Sequence, residues 1–187
     1  MLGAGKAMIP NRVTMTEQKQ RWITDSDWEY LSFPLDSART PFPVFDPLLE
    51  IWNSKRDGEK LPAWRDFEMR DFIGWHSNLV LFEVRHDPFD LYFRLCGTAA
   101  SESYGSNLTG TTLRDMSGKI ENKTDLLYFQ SLVDERLIGV STGPDYWHNR
   151  EHIKLCYLDL PLSKDGDHVT HFLTCVVKGQ PSWELKP

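Results

Sequence analysis

The sequence predicts an α+β domain built on a five-stranded, mostly antiparallel sheet with helices on one face and an N-terminal helical extension. Three observations carry this. Runs rich in Val, Phe, Tyr and Leu pair up as 78–85 with 91–96 and as 154–162 with 168–178, each pair split by a short turn-forming segment. Between these hairpins, residues 121–138 repeat apolar side chains at helical spacing. A shorter apolar stripe of the same period precedes the first hairpin. Hairpins at both ends joined by a helical crossover leave one small core.

Taken in order, residues 1–44 read as a leader followed by an aromatic arm, partly disordered, and residues 45–180 as the domain. Gly3-Ala4-Gly5-Lys6 is not a phosphate loop, because it lacks the spaced first glycine, the hydroxyl residue after the lysine and a preceding strand. The arm sets Trp22, Trp28, Tyr30 and Phe33 among charges and ends in Pro34, Pro41 and Pro43, which marks it as packed rather than free. Asp46-Pro47 opens a helix, with Asp as cap and Pro where no amide hydrogen bond is lost. Phe45, Leu48, Leu49 and Trp52 share its apolar face, and Asp57-Gly58 stops it.

Leu61-Pro62 is extended, since the residue before proline avoids helical backbone. A second helix is expected from Asp66, with Met69, Phe72 and Ile73 on one side. The first hairpin turns at Asp87-Pro88-Phe89-Asp90. Small polar residues from Thr98 to Gly110 fit short helical turns and tight loops, with Gly97, Gly105 and Gly110 at sharp changes of direction. Leu126, Phe129, Leu132, Val133 and Leu137 form the stripe of the long helix. A third strand of the last group falls within 139–152 and contains Tyr146 and Trp147, and Lys164-Asp165-Gly166-Asp167 turns the final hairpin.

Composition narrows the function. The 187 residues carry 21 Lys and Arg against 27 Asp and Glu, a net charge of −6. That excludes a general binder of nucleic-acid phosphates, which needs a dense cationic surface. Three cysteines, Cys96, Cys156 and Cys175, without a CxxC pair support neither a disulfide framework nor a zinc ribbon. The longest apolar run, Leu79 to Phe82, is far below the roughly 20 residues of a membrane span, and no secretory signal opens the chain, so a cytoplasmic location is expected.

Four segments occur in the order and spacing of one family. They are Trp52 with Leu61-Pro62-Ala63-Trp64-Arg65-Asp66-Phe67, then Tyr92-Phe93-Arg94-Leu95-Cys96-Gly97-Thr98, Gly105-Ser106-Asn107-Leu108-Thr109-Gly110, and Leu160-Pro161-Leu162-Ser163-Lys164-Asp165-Gly166. Over residues 45–178 the chain resembles the PAS fold, and more narrowly the PAS-like family of alphaproteobacterial proteins. The resemblance implies a sensory or regulatory module with a cavity between sheet and small helices, usually dimeric, and it implies no enzymatic activity. The expected partners are a small-molecule ligand, a signalling protein, or both, together with a second copy of the chain.

Ligand pockets are mostly apolar with a few placed polar groups. Arg94, Thr98, Tyr104 and His152 are the polar candidates for such a cavity, and Tyr92, Trp147 and Tyr157 the aromatic ones. Two have a plainer reading beside them: Arg94 as a cross-strand ion pair with Glu83 or Glu102, Tyr104 as a packing residue. His148 and His152 share a face only on a helix, and this stretch reads as strand or loop, so no metal site is assigned. No residue singles out a heme or flavin, leaving the cofactor unspecified. No nucleophile motif is present, so no catalytic residue is assigned. Trp22, Trp28, Phe45, Leu48, Leu49 and Trp52 are the candidate interface residues, since Trp anchors are favoured at interfaces.

Overall fold

Tyr30 and its neighbours begin the sheet much earlier than the sequence indicates. In a computed structural model of the chain, which describes residues 18–24, 27–116, 122–145 and 150–179, the aromatic arm is a β-hairpin. Strand β1 (Gln20–Ile23) pairs antiparallel with β2 (Glu29–Phe33), and β2 pairs with β5. All five residues of β2 are buried. Its one charged residue, Glu29, is bound by Arg21 of β1, which is why a strand with a carboxylate at its head sits inside a sheet. The expected N-terminal helical extension is thus two strands.

Among the described residues the sheet has seven strands where five were expected, in the order β1-β2-β5-β6-β7-β3-β4, every neighbouring pair antiparallel. Strands β3 (Leu79–Arg85) and β4 (Asp90–Cys96) form the first predicted hairpin. Strands β5 (Ile138–Asp145), β6 (Arg150–Leu162) and β7 (His171–Lys178) form the predicted last group. Tyr146 and Trp147, expected inside β5, lie outside the described residues. Every residue from Leu155 to Ser163 is buried, so both faces of the central strands are covered.

Helix α1 (Asp46–Ser54) forms where Asp46-Pro47 places it, although Phe45 rather than Asp46 stands at the cap position. Phe45, Leu48, Leu49 and Trp52 are each 0% exposed, and the Trp52 indole N–H donates to the Pro161 carbonyl at 3.0 Å. These four proposed interface residues are enclosed by their own chain, because the stripe that looked available to a partner is the core of this domain. The helix expected from Asp66 is replaced by two short 3₁₀ turns, Trp64–Asp66 and Met69–Phe72. Phe72 stacks on Trp64 at 5.7 Å, whereas Met69 and Ile73 face solvent, so the three residues never shared a buried side.

Helix α2 (Thr98–Tyr104) ends at Gly105, whose φ of +75° is the left-handed stop that favours glycine. Gly97 serves a different purpose. A Cβ there would lie 2.5 Å from the Ser77 carbonyl oxygen, so the chain passes too close for any side chain. Helix α3 (Asn122–Glu135) is the predicted long helix, shorter at its end because Arg136 turns at φ +54° and Leu137 leads into β5. It crosses the sheet over Gly139, where a Cβ would overlap the Tyr128 hydroxyl and lie 2.5 Å from Leu132 Cδ1.

Candidate functional site

Strand register arranges the α3-facing side of the sheet in rows. One row runs Tyr30, Ser141, Tyr157 across β2, β5 and β6. The next runs Gly139, Asp159, Thr174 across β5, β6 and β7, and a third runs Phe172, Phe82, Phe93 across β7, β3 and β4. These side chains share a face because strand side chains alternate and the strands are in register. Above them stand Asp125, Tyr128 and Phe129 of α3, Tyr104 of α2, and Leu113 and Met116 of the following loop. All of these but Gly139 and Phe172, joined by Trp28, line a cavity of about 60 Å³.

The aromatic lining closes on itself. Trp28 stacks on Tyr30 at 6.2 Å, Tyr30 meets Tyr128 at 4.8 Å, and Tyr128 meets Phe129 at 5.2 Å. Phe129 continues to Phe82 at 5.7 Å, and Phe82 to Phe93 at 4.6 Å. Phe93 meets Tyr104 at 5.8 Å, Tyr104 meets Tyr157 at 6.3 Å, and Tyr157 returns to Trp28 at 5.8 Å. All eight rings line the cavity. Centroid distances of this size are those at which aromatic pairs attract beyond their buried area. Gly143 makes room for the first member, since a Cβ there would overlap the Trp28 indole.

A polar inlay sits inside this circuit. Asp159 is 1% exposed, and its carboxylate accepts from Thr174 Oγ1 at 2.6 Å and from Tyr128 Oη at 3.1 Å. The Tyr30 hydroxyl donates to Asp125 Oδ1 at 2.6 Å, and the Tyr104 and Tyr157 hydroxyls are neighbours in the same wall. Burial pushes the Asp159 carboxyl up to about 7, against the two hydroxyls that favour its charged form; the nearby Asp125 charge raises it further. Burial likewise raises Tyr104, Tyr128 and Tyr157 well above the ordinary phenol range. At neutral pH the site therefore holds protonated hydroxyl donors around a carboxyl that titrates.

Two of the seven predicted ligand residues, Tyr104 and Tyr157, line this cavity. Four do not. Arg94 is exposed and faces Glu83 at 3.5 Å, the cross-strand pair weighed as its plainer reading. Tyr92 carries the Arg85 guanidinium over its ring at 3.8 Å, on the other side of β4 from Phe93. Thr98, at the start of α2, and His152, on β6, are exposed. Trp147 and His148 lie outside the described residues. Of the arm residues proposed for an interface, Trp28 lines the cavity and Trp22 packs edge-on against Tyr128 at 6.0 Å.

Sequence reasoning missed Asp159, Asp125, Tyr128, Tyr30 and Phe93. One signal was available for the first: Asp159 is the single charge in the apolar run Leu155 to Leu162. Cys156 and Cys175 are buried thiols whose ionisation burial suppresses, the latter pushed up to about 12, so neither is poised as a nucleophile. Comparison of the chain with protein-family models, with curated proteins and with solved structures finds no match.

Proposed function

We propose that the chain is a PAS-like, non-enzymatic sensory or regulatory module that takes a small molecule between its sheet and helices α2 and α3. It passes that event on by protein contact. The observation that carries this reading is the closed circuit of eight rings around buried hydroxyl and carboxyl groups. Such a site, apolar with a few placed polar groups, has the character of a binding pocket. The succession hairpin β3–β4, α2, α3, then β5, β6 and β7 supports this reading, although two 3₁₀ turns stand where its second helix was expected. In this reading β1 and β2 are an addition at the β5 edge.

Signalling follows from what roofs the cavity. Helix α3 supplies Asp125, Tyr128 and Phe129 to the interior while Leu127 stays exposed on its outer side. A guest that fits one placement of α3 better than another shifts the balance between them, and only by that difference in affinity. Native mass spectrometry tests the binding step. The expected spectrum carries a non-covalent mass that denaturation removes and that Ser141→Leu, which fills the cavity, lacks. A bare mass in both proteins overturns the small-molecule reading.

A second reading is a ligand-free interaction module, and β1 favours it. Among the described residues β1 is an edge of the sheet, with Ile23 62% and Trp22 36% exposed. An open edge that exposes Trp and Ile side chains is a template for pairing with a second copy. Light scattering on the wild type and Ile23→Lys separates the two readings: a dimer that the substitution dissociates supports the interaction module.

A further inference from the structure

We infer that the guest of the cavity is a small organic cation, a protonated amine or methylated ammonium of a few heavy atoms, held against the Asp159 carboxylate within the aromatic circuit. This rests on the small-molecule reading above and names its ligand class. Asp159 is withdrawn from water, and both of its hydrogen-bond donors, Thr174 and Tyr128, are neutral hydroxyls. None of the described residues that line the cavity is Lys, Arg or His. A buried carboxylate without a counter-charge is costly, and a cationic guest supplies that charge. Asp125, which accepts from the Tyr30 hydroxyl, also lines the cavity.

The remaining wall selects among cations. Aromatic rings attract cations through their quadrupoles, most strongly where water is excluded, which suits methylated or primary ammonium groups. A hard metal ion instead asks for oxygen ligands on most sides, and here rings occupy most of the wall. Among the described residues, no group of three or more His, Cys, Asp or Glu side chains is placed to hold a metal. A cavity of about 60 Å³ limits the guest to a few heavy atoms, with Leu113 and Met116 available to its alkyl part.

The test is a nuclear magnetic resonance titration of the full chain at constant ionic strength and pH 8, with ethylammonium chloride, ethanol and sodium acetate as probes. Ethylammonium is expected to saturate, with ethanol and acetate at least tenfold weaker. Asp159→Asn is expected to weaken ethylammonium at least tenfold and leave ethanol unchanged. Wild-type affinity for ethylammonium should rise severalfold from pH 6 to pH 8 as Asp159 loses its proton. The groups facing Asp159 are Asp125 and Tyr128 from α3, Tyr104 from α2, Tyr157 on β6 and Cys175 on β7, while Tyr30 of β2 lines the same cavity and bonds Asp125. The three raised phenols and the Cys175 thiol stay protonated throughout this range.

Ethanol binding as tightly as ethylammonium, or an Asp159→Asn protein that keeps full affinity, overturns the cation while leaving the small-molecule reading intact. If Asp159→Asn does not fold, the wild-type pH profile decides: affinity that fails to rise from pH 6 to pH 8 overturns it. If no probe binds, the cation is overturned. A native spectrum that still carries a neutral mass then keeps the broader reading, and a bare one removes both.

Discussion

A side-chain carbon on Gly139 would fall inside the van der Waals shell of the Tyr128 hydroxyl, so this glycine is what allows the tyrosine to reach Asp159. Gly139 and Asp159 are cross-strand neighbours. The space one strand leaves is thus filled by the helix that bonds the next strand.

Gly139→Ala is expected to destabilise the fold by about 1–3 kcal/mol, the usual range for overpacking a filled core. Because the added methyl meets the hydroxyl first, Tyr128→Phe in the same chain should recover part of that loss. Denaturant midpoints of the two single variants and the double variant check this. A double variant no better than the sum of the singles contradicts the geometry.

Stability should depend on pH through Asp159. Its folded value of about 7 lies above the ordinary 3.8, so the folded state holds the proton more tightly. The resulting stabilisation is fully present below about pH 4 and is lost as pH rises through 7. In guest-free protein, Asp159→Asn should therefore gain on the wild type between pH 4 and pH 8, by an amount on the order of a few kcal/mol. Urea unfolding of both proteins across that interval measures it, and parallel curves would contradict the assignment.

Trp52→Phe should cost about 1–3 kcal/mol, since it leaves the buried Pro161 carbonyl without its indole donor and removes part of a filled side chain. The oligomeric state should not change, because Trp52 has no exposed surface. Size-exclusion light scattering beside thermal melts reads both.

Arg94→Ala should change stability by no more than about 0.5 kcal/mol, as expected for an exposed pair with Glu83. It should also leave ethylammonium affinity as in the wild type. A tenfold loss would place the guanidinium in the binding event.

The hairpins β3–β4 and β6–β7 were legible because Val, Phe and Leu runs end at turn residues, and α1 and α3 because their apolar spacing is helical. Strands β1 and β2 were not, since four and five residues carrying Arg21 and Glu29 look like a charged arm until the two charges pair. Alternation along β4 left open which face turns inward. Burial settles it, with Leu91 and Phe93 enclosed and Phe93 lining the cavity, while the register shift opposite Leu81 and Phe82 leaves Arg94 as the extra residue. Tyr104 and Tyr157 were legible because the resemblance places the cavity between the sheet and the segment from Gly97 to Gly110, with Tyr104 in that segment and Tyr157 an aromatic of a sheet strand. Asp159 escaped because its partners, Tyr128 and Thr174, lie 31 and 15 residues away in the chain.

The hairpin at the β5 edge also bears on where the chain can be cut. A fragment starting at residue 45, where the sequence sets the domain, would discard Trp28 and Tyr30 and so remove two neighbouring members of the eight-ring circuit. It would bare the backbone edge of β5 that β2 satisfies. A chain shortened to residue 45 that fails to bind would therefore report a missing wall rather than a missing affinity.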